Sequence, residues 1–126
     1  MEKQTQVYNL EEGQELRLDF DKLSKVVAEC SKIIPVAVQD ANSKKVILIA
    51  YTNEKALKES IKTRIATFWS TSRNELWVKG ATSGNYFELL EISVNCEQNS
   101  ILYLVRPKGE GICHTRNKAG RARDCF

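Results

Sequence analysis

The sequence predicts an α+β domain in which a small mixed or antiparallel sheet is combined with two helices. Two segments carry the 3.6-residue apolar period of a helix. Six short runs are rich in the aliphatic and aromatic residues that favour strands. The 126 residues suffice for one domain with a modest core, so the whole chain, 1–126, is taken as a single domain.

Residues 1–18 are polar with scattered apolar positions and read as a short arm or an edge strand. Asp19 or Asp21 is placed to cap a first helix, in which Leu23, Val26, Val27 and Cys30 share one face and which Pro35 ends. Residues 36–39 and 46–51 read as two strands joined by the polar turn 41–45. Asn53 is a good N-cap for a second helix carrying Ala56, Leu57 and Ile61. From there the pattern is of strands at 66–70, 76–79, 86–94 and 101–105. Both faces of 101–105 are apolar, which predicts burial on both sides and, in so short a chain, a partner subunit. Residues 107–126 read as loop, rich in glycine and basic residues.

At 42% hydrophobic and 28% charged residues the chain has ordinary globular usage, which excludes disorder of the whole. A net charge of +3 is too small to argue for nucleic acid, but fits an anionic small ligand if the charges cluster. No apolar leader follows Met1, and no apolar run is long enough to span a bilayer, so the expected location is the cytoplasm, away from membranes. Disulfides are rare there, which leaves metal binding or burial for the four cysteines.

Cys96, Cys113 and Cys125 lie in the last third of the chain. Thiolates are ready zinc ligands, and a catalytic zinc takes three protein ligands. Their wide spacing gives no zinc knuckle, so spacing alone fits buried or incidental cysteines better than a metal site. Cys30 reads as a small core residue. His114, the single histidine, follows Cys113 directly and is either structural or a proton carrier near neutral pH. Residues 70–85 gather hydroxyls, an amide, two glycines, Arg73 and Lys79 around Trp77. Such a segment cradles phosphate through backbone N–H groups, hydroxyls and cations, or is a polar hairpin with a core tryptophan. Its candidate substrate contacts are Ser72, Arg73, Trp77, Lys79, Gly80, Thr82, Ser83 and Gly84, with Trp77 read first as core. Arg116, Lys118, Arg121 and Arg123 form a basic run, either solvated or facing phosphates.

From Pro35 to Phe126 the chain resembles the phosphoribosyl-AMP cyclohydrolase family of histidine biosynthesis. The resemblance is carried by Val38-Gln39-Asp40, Ala50-Tyr51, Asn53-Glu54, Trp69-Ser70 and Ser72-Arg73. Leu76-Trp77, Lys79-Gly80, Thr82-Ser83-Gly84-Asn85, Cys113-His114-Thr115 and Cys125-Phe126 continue it in order. The resemblance implies an α+β fold, an intertwined homodimer, and a zinc site built by cysteines of both subunits. It assigns zinc to Cys96, Cys113 and Cys125 and places His114 beside the metal.

The sequence departs from the family's pattern in three places. Where the family usually has Asp-Cys-Asp-x-Asp, associated with magnesium, this chain reads Asn95-Cys96-Glu97-Gln98-Asn99. Magnesium prefers carboxylate oxygens, so Asn95, Glu97 and Asn99 make at most a degenerate site for Mg²⁺. Phe87 stands where a glutamine is common, and the segment from Cys113 to Cys125 is longer than usual.

The activity implied is hydrolytic opening of the adenine ring of 1-(5-phosphoribosyl)-AMP at its N1–C6 bond. Ribosylation at N1 makes C6 an electrophilic amidine-type carbon, and zinc would acidify the attacking water. Three thiolates on Zn²⁺ leave a net negative site that acidifies water less than three histidines do, which gives His114 a use as base. Two alternatives stand beside this reading. One is a paralogue acting on a related purine-like nucleotide. The other is a zinc-stabilised module binding nucleic acid through its basic tail, disfavoured because most aromatics fall in strand patterns.

Overall fold

A computed structural model describes residues 18–109, apart from Ser31, Thr82 and the side chain of Val27. In chain order the elements are α1 (Lys22–Glu29), β1 (Ile34–Asp40), β2 (Val46–Thr52), α2 (Glu54–Thr63), β3 (Thr67–Ser70), β4 (Glu75–Val78), β5 (Phe87–Val94) and β6 (Ile101–Pro107). The α+β class and the two helices follow the expectation. The arm, 1–18, lies outside the described residues except for exposed Leu18.

Four strands form one sheet in the order β2-β1-β6-β5, and β3 and β4 form a separate hairpin. The sheet is mixed: β1 is antiparallel to β2 and parallel to β6, with Val36 opposite Ile101 and Val38 opposite Tyr103. Strand β5 runs antiparallel to β6, interrupted by a bulge between Leu89 and Glu91. Paired residues share a face. Val36, Val38, Leu48, Ala50, Phe87, Leu89, Ile101, Tyr103 and Val105 therefore form one buried face, against which Ala66 and Phe68 of the hairpin segment pack.

Asn53 caps α2 as expected, its Oδ1 accepting the Ala56 N–H at 2.9 Å. The helix ends at Arg64 in a left-handed conformation (φ 62°), and the chain turns back along β5. There Ala66 N–H donates to Phe87 O, and Leu89 N–H donates to Arg64 O. Two polar side chains, Ser60 and Tyr103, and the Thr67 backbone tie α2, β3 and β6 together inside the core. Ser60 Oγ donates to Thr67 O at 2.9 Å and accepts the Thr67 N–H at 2.8 Å, while Tyr103 OH donates to Ser60 Oγ at 3.3 Å. Ser60 and Tyr103 are fully buried, so these bonds offset the desolvation of their hydroxyls.

Three expectations need correction. Pro35 does not end α1. The helix stops at Glu29, with Cys30 already extended, and Pro35 is the second residue of β1, just before the parallel ladder begins at Val36. A proline is tolerated there because no bond to β6 is lost. Of the two capping candidates the sequence offered, Asp19 is the one whose side chain accepts at the start of α1, taking the N–H of Asp21 and of Lys22, which agrees with the expectation. Leu23 and Ile61 point to solvent, with the helical faces closed by Val26 and Cys30 and by Ala56 and Ser60. Strand β6 is fully buried on one face. Leu102 and Leu104, on the other, are half-buried among Ala37 and half-exposed Ile49.

Removing the Ser60 hydroxyl strands the Thr67 N–H inside the core and takes one of two hydrogen-bond partners from the Tyr103 hydroxyl, leaving Thr52. Ser60→Ala is expected to destabilise the fold by about 1–3 kcal/mol in urea unfolding. Exposed Ile61→Ala, on the same helix, serves as the near-neutral control. Burial, opposed by the hydrogen bonds Tyr103 shares with Ser60 and Thr52, raises its pKa above the ordinary 10.0. The folded state thus holds this proton more tightly than the unfolded chain. Its contribution is complete below pH 10.0 and is lost as the pH rises through the folded-state value. Thermal melts of the wild type are expected to drop more steeply above that pH than those of Tyr103→Phe.

Candidate functional site

The chemistry-bearing residues fall on three connections. The first is the β5–β6 turn. Asn95 N–H donates to Ser100 O and Gln98 N–H to Asn95 O, with Gln98 in a left-handed conformation (φ 56°). Cys96 and Glu97 sit exposed in this turn, and Cys96 is a free thiol. The Asn95 and Asn99 side chains face each other, Asn95 Nδ2 donating to Asn99 Oδ1 at 2.6 Å. Asn95 Oδ1 accepts the N–H groups of Asn99 and Ser100, both at 2.9 Å.

The second connection is the β3–β4 turn. Ser70 Oγ accepts the Arg73 N–H at 3.3 Å and the Arg73 Nε–H at 3.4 Å, and lies 3.4 Å from Ser72 Oγ. Arg73 also meets Glu75 at 3.5 Å on the surface. Trp77 behind them is half-buried, its ring 5.4 Å from that of Phe68, as the core reading expects. Asn74 escaped the sequence reading. It sits at φ 54°, accepts Trp69 Nε1–H at 3.1 Å, and lies 3.8 Å from Cys30 Sγ, which also donates to Thr71 O. An asparagine between a turn and a strand was the available signal, since it tolerates the left-handed region. Cys30 is buried, as expected of a core residue.

The third connection, between β4 and β5, is the tightest. Gly80 has φ +92°, and a Cβ there would meet the Tyr86 amide nitrogen and stand 2.5 Å from the Asn85 carbonyl carbon. Gly84 N–H donates to Gly80 O at 2.8 Å, and Ser83 Oγ accepts the Asn85 N–H at 3.2 Å. Lys79 is buried, with Nζ donating to Asn85 O at 3.4 Å and lying 5.3 Å from the centre of the Phe87 ring. It is built into the loop wall, not displayed on the surface. Gly109 packs against this loop, where its absent Cβ leaves room for the Asn85 side chain and the Gly84 carbonyl. Thr82, Cys113, His114, Cys125 and the basic run 116–123 lie outside the described residues.

The loop 79–86 and Gly109 thus lie at one end of the β5–β6 pair, and the Cys96 turn lies at the other. The eight residues of β5 separate them by on the order of 23 Å.

The cation fits differ. An exposed, unbridged thiol at Cys96 suits zinc, whose other two ligands would come from outside the described residues. Magnesium does not fit as the turn stands, because the oxygens of Asn95 and Asn99 already accept hydrogen bonds. Among the described residues no three His, Cys, Asp or Glu side chains converge as a metal cluster. No helix among them is long and apolar enough to cross a membrane.

These features define a small α+β protein whose hydroxyl-, amide- and thiol-bearing loops sit at the ends of a mixed sheet. The family model for phosphoribosyl-AMP cyclohydrolase matches residues 48–126. The chain is 51% identical over 98 residues to a phosphoribosyl-AMP cyclohydrolase of Nitrosopumilus maritimus, covering 78% of this chain and 83% of that one. It is 48% identical over 85 residues to the phosphoribosyl-AMP cyclohydrolase of Archaeoglobus fulgidus, covering 68% and 78%. Over 104 residues it is 41% identical to a histidine biosynthesis bifunctional protein of Thermus thermophilus, covering 82% of this chain and 46% of the relative. The chain belongs to the phosphoribosyl-AMP cyclohydrolase family.

Gly80 and Gly84 share a positive φ but differ in surroundings, since nothing lies within 4 Å of a Cβ built on Gly84. Gly84→Ala is expected to cost about 1–2 kcal/mol, the backbone penalty alone. Gly80→Ala should cost clearly more, because loop 79–86 must also move. Paired urea melts of the two variants check this.

Proposed function

We propose that the chain hydrolyses the N1–C6 bond of 1-(5-phosphoribosyl)-AMP in histidine biosynthesis. The observation that carries this reading is the family match through 48–126, which spans all three connections and the Cys113-His114 pair. Water adds its oxygen to C6. One of its protons goes to the exocyclic nitrogen and the other to N1 as the N1–C6 bond breaks, leaving a carboxamide. Cys96, Cys113 and Cys125 would hold zinc, which when bound supplies a Lewis acid for the attacking water.

His114, directly after the proposed ligand Cys113, would take and return the proton. Ser72, Arg73, Thr82 and Ser83 offer hydroxyl and guanidinium donors for phosphate, beside a Gly80–Gly84 loop whose Ala81 and Gly84 N–H groups close on Val78 O and Gly80 O. Trp77 and Lys79 act from behind as wall residues. Arg116, Lys118, Arg121 and Arg123 offset the negative charge of the thiolates and phosphates. Asn95, Glu97 and Asn99 would bind magnesium weakly at best. The working location is the cytoplasm.

The functional unit is a homodimer. Cys113 lies four residues past Gly109, a reach of about 14 Å for a fully extended chain. That falls short of the separation between Gly109 and the Cys96 turn of the same chain, which supports a zinc site shared between two chains. The half-open sheet face of Ala37, Ile49, Leu102 and Leu104 supports the same reading.

The test is turnover of the N1-ribosylated nucleotide, followed by the ultraviolet change on ring opening. The zinc-loaded protein is expected to turn it over. Cys96→Ser, Cys113→Ser and Cys125→Ser should each lose zinc, while Cys30→Ser keeps it. His114→Ala should keep zinc and lose roughly 10²–10⁴-fold in rate. A folded, zinc-bound dimer without turnover would replace this reading with a paralogue acting on a related purine-like nucleotide.

A further inference from the structure

We infer that Asn95 and Asn99 form an amide clasp that closes the β5–β6 turn around Cys96 without a cation. The orientation of Asn95 is fixed by its surroundings. Its Oδ1 accepts two backbone N–H groups, from Asn99 and Ser100, so that atom is the oxygen and the amino group faces away from the backbone. That amino group meets Asn99 Oδ1 at 2.6 Å, and Ser100 Oγ lies 3.5 Å from the same oxygen. Both side-chain oxygens are therefore engaged in closing the turn. The neck beneath is closed by Asn95 N–H to Ser100 O, where the strands begin at Val94 opposite Ile101.

A divalent cation between these residues would have to break the Asn95–Asn99 bond and would face an amino group carrying the wrong partial charge. Glu97 alone supplies a carboxylate within the turn. Hard cations such as magnesium need several oxygen ligands, with carboxylates preferred. With aspartate at both 95 and 99, the same geometry would press two carboxylate oxygens together. Like charges at that separation cannot both remain ionised without a proton or a cation between them. An amide pair and a cation-bridged carboxylate pair are thus two ways of closing one turn, and this chain uses the first. The inference stands on the geometry of the turn and not on which nucleotide the chain opens.

The test is the thermal melting of the full chain, with magnesium chloride against chelation of magnesium, and calorimetric titration with magnesium alone. Wild type is expected to show no magnesium-dependent shift in Tm and no binding heat at millimolar metal. Asn95→Asp/Asn99→Asp should melt lower without magnesium, recover with it, and bind it. Asn99→Asp alone should behave as wild type, since Asn95 Nδ2 then donates to a carboxylate and the clasp survives. A magnesium-dependent rise in the Tm of the wild type would overturn the inference. So would a magnesium requirement in Asn99→Asp equal to that of the double variant, or a double variant indifferent to magnesium. No turnover is read, so a failed nucleotide assay leaves these outcomes unaffected.

Discussion

The parallel ladder from Val36–Ile101 to Asp40–Val105 is the constraint on which the rest of the structure depends. A parallel pair cannot be closed by a tight turn, so the chain between β1 and β6 must form a long crossover. Strand β2, helix α2, the β3–β4 hairpin and β5 all lie on that path. Among the described strands the ladder makes β1 and β6 the central pair, with β2 and β5 outside them and Ile65 bridged to Glu88 beyond β5. It also sets Tyr103 beneath α2, where its hydroxyl finds Ser60, and the hairpin segment beside Phe87.

The placement of the loops follows from the same ladder. Because β6 runs parallel to β1 and antiparallel to β5, the Cys96 turn and the 79–86 loop are fixed at opposite ends of one strand pair. Neither end carries a full set of reactive groups among the described residues. Gly109, the last described residue, packs against the loop held by Gly80, and Cys113, His114 and Cys125 follow it in the sequence. Cys96 is the one thiol of the proposed zinc set that lies among the described residues, and it sits at the end of the strand pair away from Gly109.

Much of the local structure was legible in the sequence. The Asn53 cap and the strand runs were visible because caps and apolar runs are local signals. Pro35 misled because a proline before a strand and one after a helix look alike. Leu23 and Ile61 were misplaced because periodicity gives a helix's apolar face but not how far that face is covered. The strand order was not legible, since pairing Val36 with Ile101 depends on distant residues. The departure at Asn95 and Asn99 was visible as lost charge, but the side-chain bond between them needed coordinates. Lys79 read as a cation for phosphate because nothing in its sequence neighbourhood reports the Phe87 ring over which it lies.

The half-covered face bearing Leu102, Leu104 and Ile49 ties the chain's stability to its surroundings. Any molecule that covers those side chains stabilises the folded state and not the unfolded one, so the melting point becomes a function of that molecule's concentration. With a second copy of the chain as that molecule, as the proposed homodimer has it, diluting the protein is a form of denaturation. A cell that makes little of such a dimer would hold a less stable fold than a cell that makes much, from an identical gene product.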